Sequence, residues 1–192
     1  MNLPEYRAEA TLRDGTPVVI RAIRPDDRAA LREGILHLSD RTVYQRFMRA
    51  KRDLTDAELR YFTELDFRDH IGLAVELDAT HGGRPIAVGR AVRTMQLPSP
   101  PGSHPPGPPS EVGLPQRATA EVAFVVVDEY QNRGAGTLLL EHLARIAREL
   151  GFQAFEAEVL PDNHKMLAVF AHSGLTMREQ RKDGLVHVVM EL

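Results

Sequence analysis

Val125-Val126-Val127-Asp128-Glu129-Tyr130-Gln131-Asn132-Arg133-Gly134-Ala135-Gly136 is the stretch whose reading decides this chain. An apolar run suited to a strand enters a glycine-containing turn, and the turn opens a long helical pattern. The first turn of any helix leaves backbone N–H groups without intrahelical partners, and the helix dipole adds positive potential there, so such a junction suits an anion. Glycine lets backbone approach a phosphate closely, and Arg133 brings a fixed charge with several donors. The dinucleotide fingerprint G-x-G-x-x-G and the nucleotide loop G-x-x-x-x-G-K-[ST] are both absent; what stands is Q-x-x-G-x-G. On these residues alone two readings are open: a phosphate cradle, or a tight strand-to-helix turn with incidental glycines.

Working outward, residues 136–150 place Leu139, Leu143, Ile146, Ala147 and Leu150 on one helical face, and Gly151 ends the helix. Residues 154–160 read as a strand. Together with the strand at 120–127 they make a strand–helix–strand unit, which predicts a parallel pair. Asp162 or Asn163 caps a helix through His172, and short strands at about 175–180 and 185–192 close the chain around Asp183-Gly184. Upstream, strands at about 70–77 and 85–94 flank a glycine-containing loop and predict an antiparallel hairpin. Ahead of them, Pro25-Asp26-Asp27 starts a helix carrying Leu31, Ile35 and Leu38, and Ser39 caps another through Met48. Thr55-Asp56-Ala57-Glu58 has the capping-box spacing. Val18 to Ile23, after Asp14-Gly15, opens the fold as a strand. The class is α/β (α+β in its mixed sheet), with helices on both faces.

The bulk properties narrow the function. At 192 residues the chain is expected to be one domain, residues 1–192, with a proline-rich insertion at about 97–116. Eight of the 13 prolines fall there, so that segment is expected to be a solvated, mobile or polyproline-like loop, with a ligand for a partner domain as the second reading. A net charge of -3 argues against a binder driven by phosphate neutralisation of nucleic acid. The absence of cysteine excludes disulfides, thiolate metal sites and a cysteine nucleophile, and the histidine spacing predicts no metal site. No secretory h-region or membrane-length apolar run is found, so a cytoplasmic protein without membrane contact is expected.

The segment Gln131-Asn132-Arg133-Gly134-Ala135-Gly136 resembles the acyl-CoA pyrophosphate loop of the GNAT N-acetyltransferase superfamily, whose pattern is [QR]-x-x-G-x-[GA] between a strand and a helix. The element order is similar to that fold over nearly the whole chain. The resemblance implies that the fourth and fifth strands of the family, here at about 120–127 and 154–160, lie parallel and splayed. It implies acetyl-CoA as co-substrate, with Val125, Val126 and Val127 along the pantetheine and Arg133, Gly134, Ala135, Gly136 and Thr137 on the pyrophosphate. The backbone amide near Val126 is then the oxyanion donor. Asn163, in Leu160-Pro161-Asp162-Asn163, matches an asparagine that often contacts the cofactor, and is equally suited to cap its helix.

Acetyl transfer needs a neutral amine, and a lysine amine has a reference pKa of about 10.4, so a base is required. Glu121, in the apolar run Ala120-Glu121-Val122-Ala123-Phe124, is the candidate, and is expected to be partly desolvated there. An edge or solvent-facing glutamate is the alternative reading. This run resembles bacterial protein lysine acetyltransferases that modify acyl-CoA synthetases, in which a glutamate at this place is the base. Leu12-Arg13-Asp14-Gly15, Leu38-Ser39-Asp40-Arg41, Arg46-Phe47 and Leu65-Asp66-Phe67-Arg68-Asp69-His70 extend that likeness. One departure stands out: Phe170 occupies the place where many family members carry a tyrosine as proposed acid for the leaving thiolate. The thiolate then leaves unaided, or His172 assists. A protein lysine is the expected acceptor. A small amine, or a catalytically silent acyl-CoA sensor, are the alternatives, and monomer and homodimer are both open.

Overall fold

The computed structural model describes residues 2–94 and 118–192; the proline-rich insertion lies outside the described residues. Strands β1 (Arg7–Thr11), β2 (Pro17–Ala22), β3 (His70–Leu77), β4 (Pro85–Thr94), β5 (Thr119–Val126), β6 (Ala154–Val159), β7 (Met177–Lys182) and β8 (Leu185–Glu191) alternate with helices α1 (Arg28–Leu36), α2 (Asp40–Phe47), α3 (Asp56–Thr63), α4 (Ala135–Glu149) and α5 (His164–Ala171). Among the described residues the strands form one mixed sheet in the order β1-β2-β3-β4-β5-β6-β8-β7. All neighbours are antiparallel except β5 and β6, the pair joined through α4.

Three of the helices, α2, α3 and α5, begin where the sequence supplies a side-chain cap. The Ser39 hydroxyl accepts from the Thr42 N–H, Thr55 and Glu58 form a reciprocal capping box, and Asn163 accepts from the Met166 N–H. Gly151, at φ +81°, sits just past the end of α4. Asp27 differs from the simple helix start that its sequence suggests. Pro25–Asp27 is a short 3-10 turn, and the Asp27 carboxylate accepts both from the Arg24 N–H and from Arg21 at 2.8 Å. Arg21 also donates to Glu76, so a largely buried ion triad ties β2 and β3 to the entry of α1.

The strand β1 is an addition to the sequence reading. It alternates exposed and half-buried residues, and Asp14-Gly15 is the turn that folds it onto β2.

The two sheet faces are covered differently. Side chains of Ala120, Val122 and Phe124 pack with Leu139, Leu140, Leu143 and Ile146 of α4 in the main core. Leu139, Leu143 and Ile146 are wholly inaccessible, as their spacing predicts. The opposite face carries α1 to α3, whose own small cluster is Ile35, Val43, Leu54 and Leu59. Strands pointing apolar residues both ways fit a sheet covered on both sides. No helix among the described residues is long and apolar enough to cross a membrane.

Candidate active site

The parallel pair is incomplete, and the incompleteness makes the site. β5 pairs with β4 along its whole length, from Thr119↔Thr94 to Val126↔Ala87. With β6 it pairs only at Thr119↔Ala154, Ala120↔Phe155 and Glu121↔Glu156. Beyond Glu121 the strands diverge. Val127 N–H donates to Ile86 on the β4 side, while Ala118 C=O accepts from Gln153 on the β6 side. Backbone direction alternates along a strand, so Val122, Phe124 and Val126 turn their N–H and C=O groups toward the gap. Open strand edges in a protein interior call for an extended partner.

The gap widens into a cleft of about 1020 Å³ that reaches the first turn of α4. Its walls include Glu121, Val125, Val126, Gln131, Asn132, Gly134, Ala135, Gly136, Thr137, Asn163 and Phe170. Eleven expected site residues therefore meet in one cavity. Val127 and Arg133 are not among its lining residues. Val127 faces the helical layer α1 to α3 instead.

The loop before α4 is held in one shape by its side chains. Asp128 accepts from the Ser39 N–H and hydroxyl and from the Thr42 hydroxyl, at 2.8–2.9 Å. Burial acts to raise the Asp128 pKa, and these donors outweigh it, so the carboxyl lies below its ordinary value. Gln131 donates to the Val126 carbonyl at 3.2 Å and accepts from Lys165 at 2.8 Å. The glutamine of the pattern is thus a brace between strand, loop and α5. Asn132 adopts φ +63° and Gly134 φ +97°, which turns the chain so that the α4 N-terminus faces the cleft.

The charge supply differs from the sequence expectation. The Arg133 guanidinium pairs with Asp14 at 2.9 Å and stacks near Tyr130, so it lies at the rim. Arg13 and Lys165 line the cleft instead. Arg13 is fixed by its N–H donating to the Arg133 carbonyl at 2.8 Å, and its Cγ lies 3.2 Å from where a Cβ on Gly134 would stand. The hairpin β1–β2, invisible in the apolar pattern, is what delivers this arginine.

Glu121 stands at the vertex of the splay, the last residue of β5 paired with β6. It is exposed, not desolvated as its apolar neighbours suggested, because strand alternation turns it away from the main core in which Ala120 and Val122 are buried. Across the sheet it pairs with Val92, and Ala123 pairs with Arg90. Arg46, from α2, also lines the cleft; burial lowers its pKa, and the charges of Glu121 and Tyr61 oppose this. Phe170 is 1% exposed and packs edge-on against Phe124 with centroids 6.0 Å apart, so it closes the cleft floor as a core residue. His172 also lines the cleft, and its Nδ1–H donates to the Ala168 carbonyl at 2.7 Å. No three His, Asp or Glu side chains converge to hold a metal ion among the described residues.

Splayed strands that open onto a helix N-terminus suit an extended ligand with an anionic end, the shape of the acyl carrier of an acyltransferase. The family model described as "Acetyltransferase (GNAT) family" matches residues 40–175. The acetyltransferase Pat of Mycolicibacterium smegmatis is 32% identical over 163 residues, covering 85% of this chain and 42% of that protein. The solved GNAT domain of S. lividans PAT superposes with a TM-score of 0.79 at 37% identity, covering 97% of each chain. The yncA putative acetyltransferase from Salmonella typhimurium, solved with acetyl-CoA, shares the fold at TM-score 0.61 and 20% identity, covering 91% of this chain and 92% of that one. The chain belongs to the GNAT acetyltransferase family. It spans less than half the length of its Pat relative.

Proposed function

We propose that this protein transfers the acetyl group of acetyl-CoA to a lysine side chain of a protein, in a ternary complex without a covalent enzyme intermediate. The observation that carries the reading is the early end of β5–β6 pairing at Glu121↔Glu156, which opens a slot leading to the N-terminus of α4. In this reading the pantetheine arm takes the place of the missing strand partner along Val125 and Val126, Val127 being turned to β4 and the helical layer. The amides of Gly134, Ala135, Gly136 and Thr137 hold the pyrophosphate, with Arg13 and Lys165 supplying positive charge. Asn163 caps α5 and faces the same cleft.

Glu121 takes the amine proton, directly or through one water; its exposure leaves it open to an incoming acceptor. The nitrogen then attacks the thioester carbon, and the Val126 N–H stabilises the carbonyl oxygen as charge develops. Phe170 cannot protonate the leaving thiolate, so the thiolate departs unaided or is met by His172 through solvent. The likeness to Pat proteins supports a protein lysine as acceptor, an acyl-CoA synthetase being the first to try, and a cytoplasmic setting fits the cysteine-free chain. The testing experiment is CoA release from acetyl-CoA with a purified acyl-CoA synthetase, for wild type and Glu121→Gln. Loss of about a hundredfold or more in the variant, with acetyl-CoA affinity kept, is the expected result. Equal rates would remove Glu121 as the base. Tight acetyl-CoA binding without transfer would favour a small-amine acceptor or a silent sensor.

A further inference from the structure

Next to Glu121 the sheet carries a cation for which the acetyl-transfer chemistry has no use. Arg90, on β4, is only 7% exposed, and among the described residues no carboxylate pairs with it. Its polar contact is a 3.4 Å hydrogen bond from Nη1 to His70 Nε2, and its guanidinium lies 4.0 Å from the Phe62 ring centroid. Arg46 stands near enough to be felt: burial first, then the Arg46 charge, pushes the Arg90 pKa down to about 9. A buried cation without an ion-pair partner is costly to maintain, and Arg46, half-buried and under the opposing charge of Glu121, adds a second positive charge nearby. A guanidinium so placed has the fixed charge and the donors to pair with a carboxylate that a ligand brings.

Both arginines line a second cavity, of about 80 Å³, between the sheet and α1 to α3. Its remaining walls are apolar, Leu31, Ile35, Phe62 and Val88 among them. It shares Arg46, Phe47, Ala123 and Val125 with the acyl carrier cleft. Ala123 is the direct cross-strand neighbour of Arg90, lies two residues from Glu121 and lines both cavities, so a short side chain borders both spaces between the vertex of the splay and the guanidinium. The space suits a chain of a few atoms that is apolar along its length and anionic at its tip. A polypeptide segment would not fit.

We propose that this second cavity receives the terminal carboxylate of a dicarboxylic acyl group, so that the protein uses a succinyl-class acyl-CoA as donor in addition to acetyl-CoA. This rests on the reading of the cleft as an acyl-CoA site. The transfer itself is unchanged. The acceptor nitrogen bonds to the thioester carbonyl carbon, the C–S bond breaks, and CoA leaves as thiolate with the electron pair. The amine proton passes to Glu121 and later reprotonates the thiolate through solvent. The distal carboxylate stays intact against Arg90 and Arg46.

The test is equilibrium binding of acetyl-CoA, butyryl-CoA and succinyl-CoA to the wild-type chain and to Arg90→Met. Butyryl-CoA matches the carbon chain of the succinyl group without its charge. A charge-assisted pair in a buried site predicts succinyl-CoA binding about tenfold or more tighter than butyryl-CoA in wild type. In Arg90→Met that ratio should fall to unity or below. Wild type binding succinyl-CoA no better than butyryl-CoA overturns the proposal, and does so even if the variant fails to fold. A ratio unchanged in a folded Arg90→Met overturns it as well. Binding of none of the three would overturn the acyl-CoA reading itself, which is a different result from binding without preference.

Discussion

Substituting the two glycines of the α4 entry should have opposite effects, although they lie two residues apart. Gly134 has φ +97°, a conformation that costs a residue with a Cβ about 1–2 kcal/mol. An added Cβ would also stand 3.2 Å from Arg13 Cγ, which must give by a few tenths of an ångström; that side chain is flexible, so this part is small. Gly134→Ala recovers about 0.4–1 kcal/mol from a stiffer unfolded chain, so the net loss is about 1 kcal/mol. Gly136 lies within the first turn of α4, where a Cβ meets Val169 Cγ2 at 3.6 Å and Met166 Cε at 3.8 Å, ordinary contact distances. Alanine there is better than glycine by about 0.5–1 kcal/mol. The two variants should therefore differ by about 2 kcal/mol, or roughly 4–8 °C in Tm for a chain of this size. Thermal unfolding followed by far-UV circular dichroism reads the difference. The same contrast explains why the family pattern admits Gly or Ala at its last position and only Gly at the fourth. Equal Tm values, or a less stable Gly136→Ala, would refute the geometry assigned to the cradle.

Three further expectations follow from the packing and the caps. Leu143→Ala, at a position wholly inside the main core under the sheet, should lower unfolding free energy by about 2–5 kcal/mol in urea titration. Asn163→Ala removes the acceptor for the Met166 N–H at 3.3 Å and should cost about 1 kcal/mol by the same titration; acetyl-CoA affinity measured separately tells whether the residue also touches the ligand. His70 is held at about 4, from an ordinary 6.5, by burial and then by the Arg90 charge. Between those values the unfolded chain binds the extra proton, so stability should fall as pH drops from about 6.5 toward 4, and His70→Gln should flatten that slope. An unchanged slope would remove His70 as its source.

Much of the fold is legible from local signals, and what is not legible has identifiable causes. The α4 face, the Thr55–Glu58 capping box, the Ser39 and Asn163 caps and the parallel β5–β6 pair all follow from spacing and cap residues. β1 escapes because Arg7-Ala8-Glu9-Ala10-Thr11 is an edge strand with no large apolar residue to set a period. Its loss hides Arg13 from the site, since the arginine reaches the cleft only through the β1–β2 turn. Arg133 looks like a ligand in sequence because nothing local announces Asp14, which lies far away along the chain. Glu121 sits in an apolar run, yet its burial depends on which sheet face it points to and what covers that face, a tertiary fact that no window of sequence carries. Arg90 is invisible for the same reason: Val88-Gly89-Arg90-Ala91 does not say that helices α1 to α3 will cover it.

The most direct test of the account is the mass of a purified acyl-CoA synthetase after incubation with this protein and acetyl-CoA, followed by peptide mapping. The expected result is the added mass of one acetyl group on a lysine side chain, formed in proportion to CoA released and absent with Glu121→Gln. CoA released without any acetyl-lysine on the synthetase, at equal rates for wild type and variant, would contradict it.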